Sequence, residues 1–501
     1  MLDLDALATR WDLPLPGTTG GKKVADGTLA VETPAHALAR TSLDCCIKCT
    51  ICETQCPVAA VTDLFPGPKF VGPQAERFRH GQSVDHSVDY CSSCGTCTRV
   101  CPQGVKIAEL NNQARAVMRA QNKSIPVRDR LITQTTLMGK VMTPIAPIAN
   151  AALDAKPIRV AMEKVVGVHR DAPMPTARPE SLQGWLKHRR PREDTLVPAG
   201  SRGPVVFFHG CAGGYFEVET SKRAIELLEH IGYEVLVPKQ GCCGLASQSN
   251  GLYGQATHDV LRLCEQLRGA GTDLPIISSS GSCAGMLKHE AHEIMGVDAA
   301  ELRDVGTRTY EISEFLRDLE DAGELPHRFR RVDATVAYHA PCQLKGQNMG
   351  LPAIEMMELV PGFHVIESGR ACCGIAGTYG LKKEKYDIAQ KVGQPLFELV
   401  ADVNPELAVC DTETCRWQIQ KGSGVRTVHP VWVLHAAYGL SQLPGIEVDD
   451  PDGRMTTPVW RERPTGGADV ADAADDAQEA MVALAQESAG GCGGSCSCGG
   501  H

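Results

Sequence analysis

The sequence predicts an α+β multidomain protein, in which a helical N-terminal module precedes two pseudo-symmetric α/β repeats and a disordered C-terminal tail. Two dense cysteine runs lie near the N-terminus, at residues 45–56 and 91–101. A pattern of alternating strands and helices occurs twice between residues 204 and 445, and such alternation is typical of parallel α/β units. From Pro464 the chain is acidic and rich in Ala and Gly, a composition typical of disorder.

Composition limits the function classes. The formal net charge is -10, which argues against a nucleic-acid partner, because such partners are bound by neutralising phosphates. The N-terminus, MLDLDALATRWDLPLPG, has early acids and no apolar segment, so we expect a cytoplasmic protein. In that reducing compartment, 22 cysteines are better explained by metal binding than by disulfides. The uncharged stretch 427–446 contains two prolines and two histidines, so we expect any membrane contact to be peripheral.

The N-terminal cysteine runs read CIKCTICETQCP and CSSCGTCTRVCP. Both have the C-x2-C-x2-C-x3-C-P spacing of bacterial two-cluster ferredoxins, in which the fourth cysteine of each run binds the other cluster. The spacing predicts two [4Fe–4S] clusters, held by Cys46, Cys49, Cys52 and Cys101 and by Cys91, Cys94, Cys97 and Cys56. Zinc knuckles are the alternative, although zinc sites rarely show a duplicated run. Cys45 is a surplus thiol that is either a bystander or a replacement for Cys46.

Helical patterns follow the second run, as in VKIAELNNQARAVMRAQ, which favours a helical ferredoxin module over a small β-rich one. The next segment, LMGKVMTPIAPIANAAL at residues 137–153, is apolar and interrupted by prolines. It either packs between modules or contacts a quinone or a membrane surface.

The two repeats share the order of their elements. VVFFHGC begins the first and TVAYHAPC begins the second, each a buried strand that ends in His and then Cys. A helical pattern and a second strand lead to an adjacent cysteine pair followed by Gly, and a third strand (LPIIS or ELAVC) leads to the last cysteine. The glycine is expected to let the backbone approach a cluster closely.

This pattern resembles the cysteine-rich CCG domain, a family that includes heterodisulfide reductase subunits and iron–sulfur subunits of lactate and glycolate oxidases. The resemblance implies that at least one repeat holds an iron–sulfur cluster. The alternative is one iron–sulfur repeat and one zinc or empty repeat. The implied ligands are Cys211, Cys242, Cys243 and Cys283 in the first repeat and Cys342, Cys372, Cys373 and Cys415 in the second.

Longer segments are similar to the iron–sulfur C subunits of anaerobic sn-glycerol-3-phosphate dehydrogenases. They are RACCGIAGTYGLKKEKYDIAQKVGQPLFE, CDTETCRWQIQKGS, HPVWVLHAAYGL and VGVHRDAPMP, together with the ferredoxin runs. The resemblance implies an electron-transfer protein that accepts electrons from a flavin-containing partner and passes them towards menaquinone, at the cytoplasmic face of the cell membrane. The substrate site would lie on the partner, and no catalytic residue is predicted here.

One departure concerns the chemistry of the repeats. Family members with noncubane clusters end each repeat in Cys-x-x-Cys, whereas this chain has Ser280 and Thr412 at the first of those positions. Cys410 lies two residues too early. Four thiols per repeat suit a [4Fe–4S] cubane, so a one-electron relay is favoured. The iron–sulfur protein of a lactate or glycolate oxidase and a heterodisulfide reductase-like enzyme are the alternatives.

Other residues carry smaller expectations. His209 and His339 are interpreted as strand-end histidines that bond to the backbone, or else as donors to a cluster. The lysines that follow Gly380 are expected on a solvated face, and Cys264 in a core. A weak metal site is considered in the tail. The residues concerned are Lys382, Lys383, Lys385, Cys492, Cys496, Cys498 and His501.

The predicted boundaries divide the chain into six parts. They are an N-terminal extension at 1–40, the ferredoxin module at 41–125, a helical connector and linker at 126–203, the first repeat at 204–325, the second repeat at 326–445 and the tail at 446–501.

Overall fold

The computed structural model describes residues 34–75, 86–121, 126–191 and 195–448. The tail beyond residue 448, with its cysteines and His501, lies outside these ranges. The N-terminal module is helical, and the described residues before Pro204 contain no strand. Its helices and those of the connector are Pro34–Thr41, Ser42–Cys45, Ile51–Thr54, Phe70–Gln74, His86–Tyr90, Thr96–Arg99, Ile107–Gln121, Val127–Thr133, Thr135–Met142, Thr143–Ile145, Ala146–Asp154, Lys156–Val165 and Leu182–Leu186.

Two four-stranded parallel sheets follow. The first contains β1 (Pro204–Phe208), β2 (Glu234–Leu236), β3 (Ile276–Ser278) and β4 (Thr309–Glu311), in the order β2-β1-β3-β4. The second contains β5 (Ala334–Tyr338), β6 (Phe363–Glu367), β7 (Leu407–Val409) and β8 (Thr427–Val428), in the order β6-β5-β7-β8. The identical strand order confirms the predicted pseudo-symmetric α/β repeats.

Helices cover the sheets. In the first repeat they are Gly210–Tyr215, Val218–His230, Leu245–Ser249, Tyr253–Arg268, Gly281–Gly285, Met286–Glu290, Ala291–Glu293, Ala300–Thr307 and Ile312–Asp321. In the second they are Cys342–Lys345, Pro352–Glu358, Tyr379–Leu381, Tyr386–Val403, Glu413–Ser423 and Pro430–Ala437. Burial on both faces explains why β1 reads as a continuous apolar run.

The two repeats share a hydrophobic core. Phe207 from β1 and Tyr338 from β5 lie in one cluster of buried residues, together with Leu434 from the last helix. Leu182, from the segment predicted as a linker, is also buried in this cluster. The sheets are therefore joined by apolar packing, and their carboxyl ends, where the cysteines follow the strands, are held at fixed positions.

Two lysines after Gly380 are buried, so the prediction of a solvated face is wrong for them. Lys382 Nζ lies 3.1 Å from Asp129 Oδ1 and Lys385 Nζ lies 2.8 Å from Asp89 Oδ2. Arg119 contacts both carboxylates, at 3.0 Å and 3.2 Å. This ion network joins the ferredoxin module, the connector and the second repeat. Lys383 is exposed, as predicted.

The connector helices present apolar side chains to the surface. Val141, Ile145 and Ile148 are 59%, 47% and 71% exposed. The same segment also packs inward, because Gly139 lies against the Tyr215 ring of the first repeat. Among the described helices, none is both long and apolar enough to span a bilayer.

Candidate iron–sulfur sites

The two ferredoxin runs adopt the same backbone conformation. Lys48 and Ser93, each two residues after the first cysteine of its run, have φ of 63° and 59°. Thr50 and Gly95, each four residues after it, have φ of 70° and 75°. Left-handed backbone is unfavourable for residues other than glycine and persists only where the surroundings impose it. The shared conformation therefore indicates that both runs are shaped for the same purpose.

The first thiol set lies at the surface. Cys46, Cys49, Cys52 and Cys101 line one cavity of about 20 Å³. Burial, together with Glu53 and the other three thiols, raises the pKa of Cys52 to about 11. The fourth thiol thus comes from the second run, in agreement with the ferredoxin spacing.

The second thiol set is enclosed. Burial raises the pKa of Cys56 to about 12, and the thiols of Cys91 and Cys94 also act to raise it. Burial raises the pKa of Cys97 well above its usual value, with contributions from Cys91, Cys94 and Cys56. Thiols this close repel one another when ionised, and bound metal removes that penalty.

The first repeat brings its four cysteines together. Cys211 follows β1 and lies 4.0 Å, Sγ to Sγ, from Cys242. Cys243 lies 3.4 Å from Cys283, which follows β3. Both separations are too long for disulfide bonds, so the four residues present free thiols. The adjacent pair reaches two different partners, a separation that suits an inorganic cluster.

The second repeat repeats this arrangement and adds a fifth thiol. Hydrogen bonds from Cys372 and Cys415 lower the pKa of Cys373 to about 6, and a hydrogen bond with Cys372 raises the pKa of Cys342. Cys410 follows β7, is fully buried, and acts electrostatically on Cys373 and Cys415. Cysteine spacing alone left Cys410 outside the predicted set. Its position one residue after a buried strand is the signal that places it at the shared edge.

A single cavity of about 180 Å³ touches the thiols of both repeats. Ile132, Met138 and Met174 of the connector contribute apolar lining. The ferredoxin module also approaches this region, because the Cys94 thiol is among the groups that raise the pKa of Cys372. The second ferredoxin set, the second repeat and the first repeat are therefore neighbours in that order.

Comparison with known proteins accounts for this arrangement. A family model described as a 4Fe-4S dicluster domain matches residues 42–105. A model described as a cysteine-rich domain matches residues 205–288 and 336–420. The C subunit of the anaerobic glycerol-3-phosphate dehydrogenase of Escherichia coli (strain K12) is 34% identical over 405 residues, which cover 79% of this chain and 99% of the relative. The chain belongs to this family of dehydrogenase C subunits.

More distant relatives share the architecture of this family. A component of the fumarate reductase (CoM/CoB) of Methanothermobacter marburgensis, its B subunit, is 24% identical, over 78% of this chain and 72% of the relative. The probable glycolate oxidase iron-sulfur subunit of Bacillus subtilis (strain 168) is 23% identical, over 79% of this chain and 94% of the relative. Iron–sulfur binding is thus the common property, and the individual ligand assignments given above stay predictions.

The histidines before the first cysteine of each repeat differ in what they offer. His209 Nδ1 lies 2.5 Å from the Gly210 carbonyl oxygen, which only accepts, so Nδ1 carries the proton. Burial lowers the pKa of His209 to about 4, so the ring is neutral at pH 7. Its Nε2 then has no proton to donate to a cluster, which leaves the strand-end interpretation. His339 Nδ1 faces Ser368 Oγ at 3.0 Å, an arrangement that allows either tautomer.

A buried group between the repeats also contains metal-ligating residue types. One atom each from Glu311, Asp411 and His429 lies within 4.8 Å of the others. The backbone N–H of Val431 donates to His429 Nδ1 at 3.0 Å, so in the neutral ring the proton sits on Nε2. That atom faces Glu311 Oε1 at 3.8 Å. A protonated Nε2 does not bind a metal, so the group is an acid–imidazole contact between repeats.

The glycines after the cysteine pairs have a different role from the predicted one. Gly244 and Gly374 have φ of 84° and 89°. A Cβ on Gly244 would lie 2.7 Å from the Ala256 carbonyl oxygen, and one on Gly374 would overlap that of Ala389. These glycines let the cysteine turn pack against a helix. The glycine next to a thiol is Gly210, whose Cβ would lie 3.1 Å from Cys283 Sγ.

We expect Gly374→Ala to lower the free energy of unfolding by about 2–5 kcal/mol, because a left-handed Ala is strained and its methyl group overlaps backbone. Gly377→Ala is the matched control, since Gly377 has φ of 62° and open space around it. The control should cost only the conformational strain, about 1–2 kcal/mol. Urea unfolding followed by circular dichroism measures both. Equal losses in the two variants would contradict the role of packing.

Proposed function

We propose that the chain is the electron-relay subunit of an anaerobic sn-glycerol-3-phosphate dehydrogenase, which takes electrons from a flavin-containing partner and passes them to menaquinone. The observation that carries this proposal is the adjacency of the thiol sets. The first ferredoxin set is at the surface, the second is enclosed, and Cys94 of the second acts on Cys372 of the second repeat. The cavity shared by both repeats continues the series.

The proposed cofactors are two [4Fe–4S] clusters in the ferredoxin module and one or two further iron–sulfur clusters in the repeats, or one zinc ion in place of one of these. Such clusters supply one-electron transfer when bound. The chain supplies the ligands, and burial of the second set excludes water. Arg99 donates to the Cys94 carbonyl oxygen at 3.0 Å, and its charge also acts on Cys342 of the second repeat.

Co-expression with the flavin-containing partner tests the proposal. The anaerobically purified complex should reduce a redox dye and a menaquinone analogue when glycerol 3-phosphate is added. The flavin-containing partner without this chain should reduce the dye and lose the reaction with the quinone. Lactate or glycolate as the effective substrate would instead support the relay of a different dehydrogenase.

A second candidate function is disulfide reduction at the second repeat, and the position of Cys410 favours it. Five thiols meet there, against four in the first repeat, where Ser278 occupies the position equivalent to Cys410. A substrate-bound cluster should give a new paramagnetic signal after oxidation with a thiol substrate. Its absence leaves the one-electron relay as the function of this repeat.

The exposed face of the connector supports a place at the membrane surface. Val141, Ile145 and Ile148 project into solvent, and Lys140 and Lys156 are exposed beside them. Apolar side chains flanked by lysines suit insertion between anionic headgroups. The same segment lines the cavity through Met138, which would bring a quinone close to the repeats.

We expect the full chain to float with vesicles that contain anionic lipid, and the triple variant Val141→Ser, Ile145→Ser and Ile148→Ser to bind them about 10-fold or more weakly, because three buried apolar side chains are lost. The control is the pair Leu64→Ser and Ile366→Ser, which removes apolar side chains exposed elsewhere. Equal binding by the triple variant and the control would place the membrane contact on another face.

A further inference from the structure

The second ferredoxin set lies against a buried guanidinium. Arg115, in the helix Ile107–Gln121, is 3% exposed. Its Nη2 donates to the Cys91 carbonyl oxygen and, at 3.1 Å, to that of Val88. Its Nη1 donates to Ser93 Oγ at 2.7 Å. The side chain therefore grips the loop that carries Cys91.

The same guanidinium reaches the first repeat. Arg115 Nη1 also donates to the Ser249 carbonyl oxygen at 2.9 Å. Ser249 ends the short helix Leu245–Ser249, which begins directly after the Cys242–Cys243–Gly244 turn. Arg115 is thus a link between the second ferredoxin set and the cysteine pair of the first repeat.

One donor of Arg115 is uncommitted. Its Nε–H is buried and has no acceptor among the described residues. A buried N–H without a partner is costly. The Arg115 charge acts on the Cys91 thiol, whose pKa it lowers against the opposing effect of burial. The donor and the positive charge are therefore available to the group that Cys91 holds.

We propose that Arg115 is a positioning residue that raises the reduction potential of the cluster held by the second ferredoxin set. This inference rests on the proposed relay, because it needs a cluster in each set. Reduction adds one negative charge to a cluster, and a nearby cation stabilises that charge most where water is excluded. Burial alone would lower the potential of the second set, and the guanidinium opposes it.

The acids around the second set do not cancel this cation. Asp89 is paired with Lys385 and Arg119. Glu109 accepts a hydrogen bond from Thr98 and is the acid whose charge acts on Cys97. The first set has a different environment, since Glu53 acts on Cys52 and lies 3.1 Å from Lys69. A change at Arg115 should therefore be felt by one cluster only.

A redox titration of the complete chain, followed by electron paramagnetic resonance, tests the proposal. Arg115→Gln should move one of the two ferredoxin midpoints to lower potential and leave the other unchanged, with the iron content equal to that of the wild type. Arg115→Lys keeps the charge without the fork of hydrogen bonds, so it should restore most of the shifted midpoint. Arg119→Gln is the control, because Arg119 lies one turn along the same helix and contacts Asp89 and Asp129 instead of the cysteine loop.

The outcomes separate two kinds of failure. Equal shifts in the Gln and Lys variants, or no shift in either, would overturn the role of the charge while the relay stands. A chain without clusters would overturn the proposed function itself. A loss of iron in Arg115→Gln that Arg115→Lys also shows would reduce Arg115 to a structural residue and overturn the inference.

Discussion

A chain that carries Cys372→Ala should keep the clusters of the ferredoxin module and stop passing electrons beyond it. Cys372 lies between Cys342 and Cys373 and within the electrostatic reach of Cys94, so it stands where the ferredoxin module meets the second repeat. Removing this thiol should cost the second repeat its cluster, which is about four irons if that cluster is a cubane. In the complex with the flavin-containing partner, glycerol 3-phosphate should still reduce the ferredoxin clusters, while reduction of a menaquinone analogue falls to background.

Cys264→Ala is the matched control for this variant. Cys264 is a fully buried thiol in the helix Tyr253–Arg268, as the sequence predicts, and it belongs to none of the thiol sets. The control should keep both the iron content and the quinone reaction of the wild type. Quinone reduction at the wild-type rate by Cys372→Ala would remove the second repeat from the electron path.

Asp129→Asn should lower the free energy of unfolding by about 3–5 kcal/mol at pH 7, the cost of breaking a buried ion pair from one side. Asp129 is 1% exposed, and its carboxylate faces Lys382, Arg128 and Arg119. Lys382 is left with Asn250 Oδ1 as its neutral partner, at 2.7 Å. The substitution therefore loosens the joint between the connector and the second repeat.

The effect of Asp129→Asn should depend on pH. The surrounding cations, Lys382 first, hold the pKa of Asp129 below its usual value of 3.8 against the effect of burial. A lowered folded-state pKa stabilises the fold above the usual value, and the gain is lost as the pH falls through the folded pKa. The difference between wild type and variant should be full at pH 7 and shrink in acid. Asp154→Asn, at an exposed carboxylate of the connector, should change stability by less than about 0.5 kcal/mol. Urea unfolding at neutral and at acid pH measures the effect, and a constant difference would contradict it.

Much of the fold follows from local signals. The two ferredoxin runs predict their own grouping because cysteine spacing within a short loop fixes which thiols share a site, and the structure places Cys101 with the first run and Cys56 with the second. The repeats are predictable because buried strands and intervening helices have different apolar periods. Their identical strand order adds the symmetry.

The features that the sequence does not reveal depend on contacts between distant segments. Lys382 and Lys385 read as the start of a solvated helix, yet Asp89 and Asp129, more than 250 residues earlier, bury them. Gly374 reads as room for a cluster, yet the helix behind it requires the absent Cβ. Cys410 reads as misplaced by two residues, because sequence spacing does not describe how the turn after β7 folds.

Iron and acid-labile sulfide in the full chain, purified without oxygen, test the central claim that these thiols hold iron–sulfur clusters. The account predicts equal amounts of the two, with about eight of each per chain from the ferredoxin module and more if the repeats are filled. Zinc alone, or iron without sulfide, would contradict it.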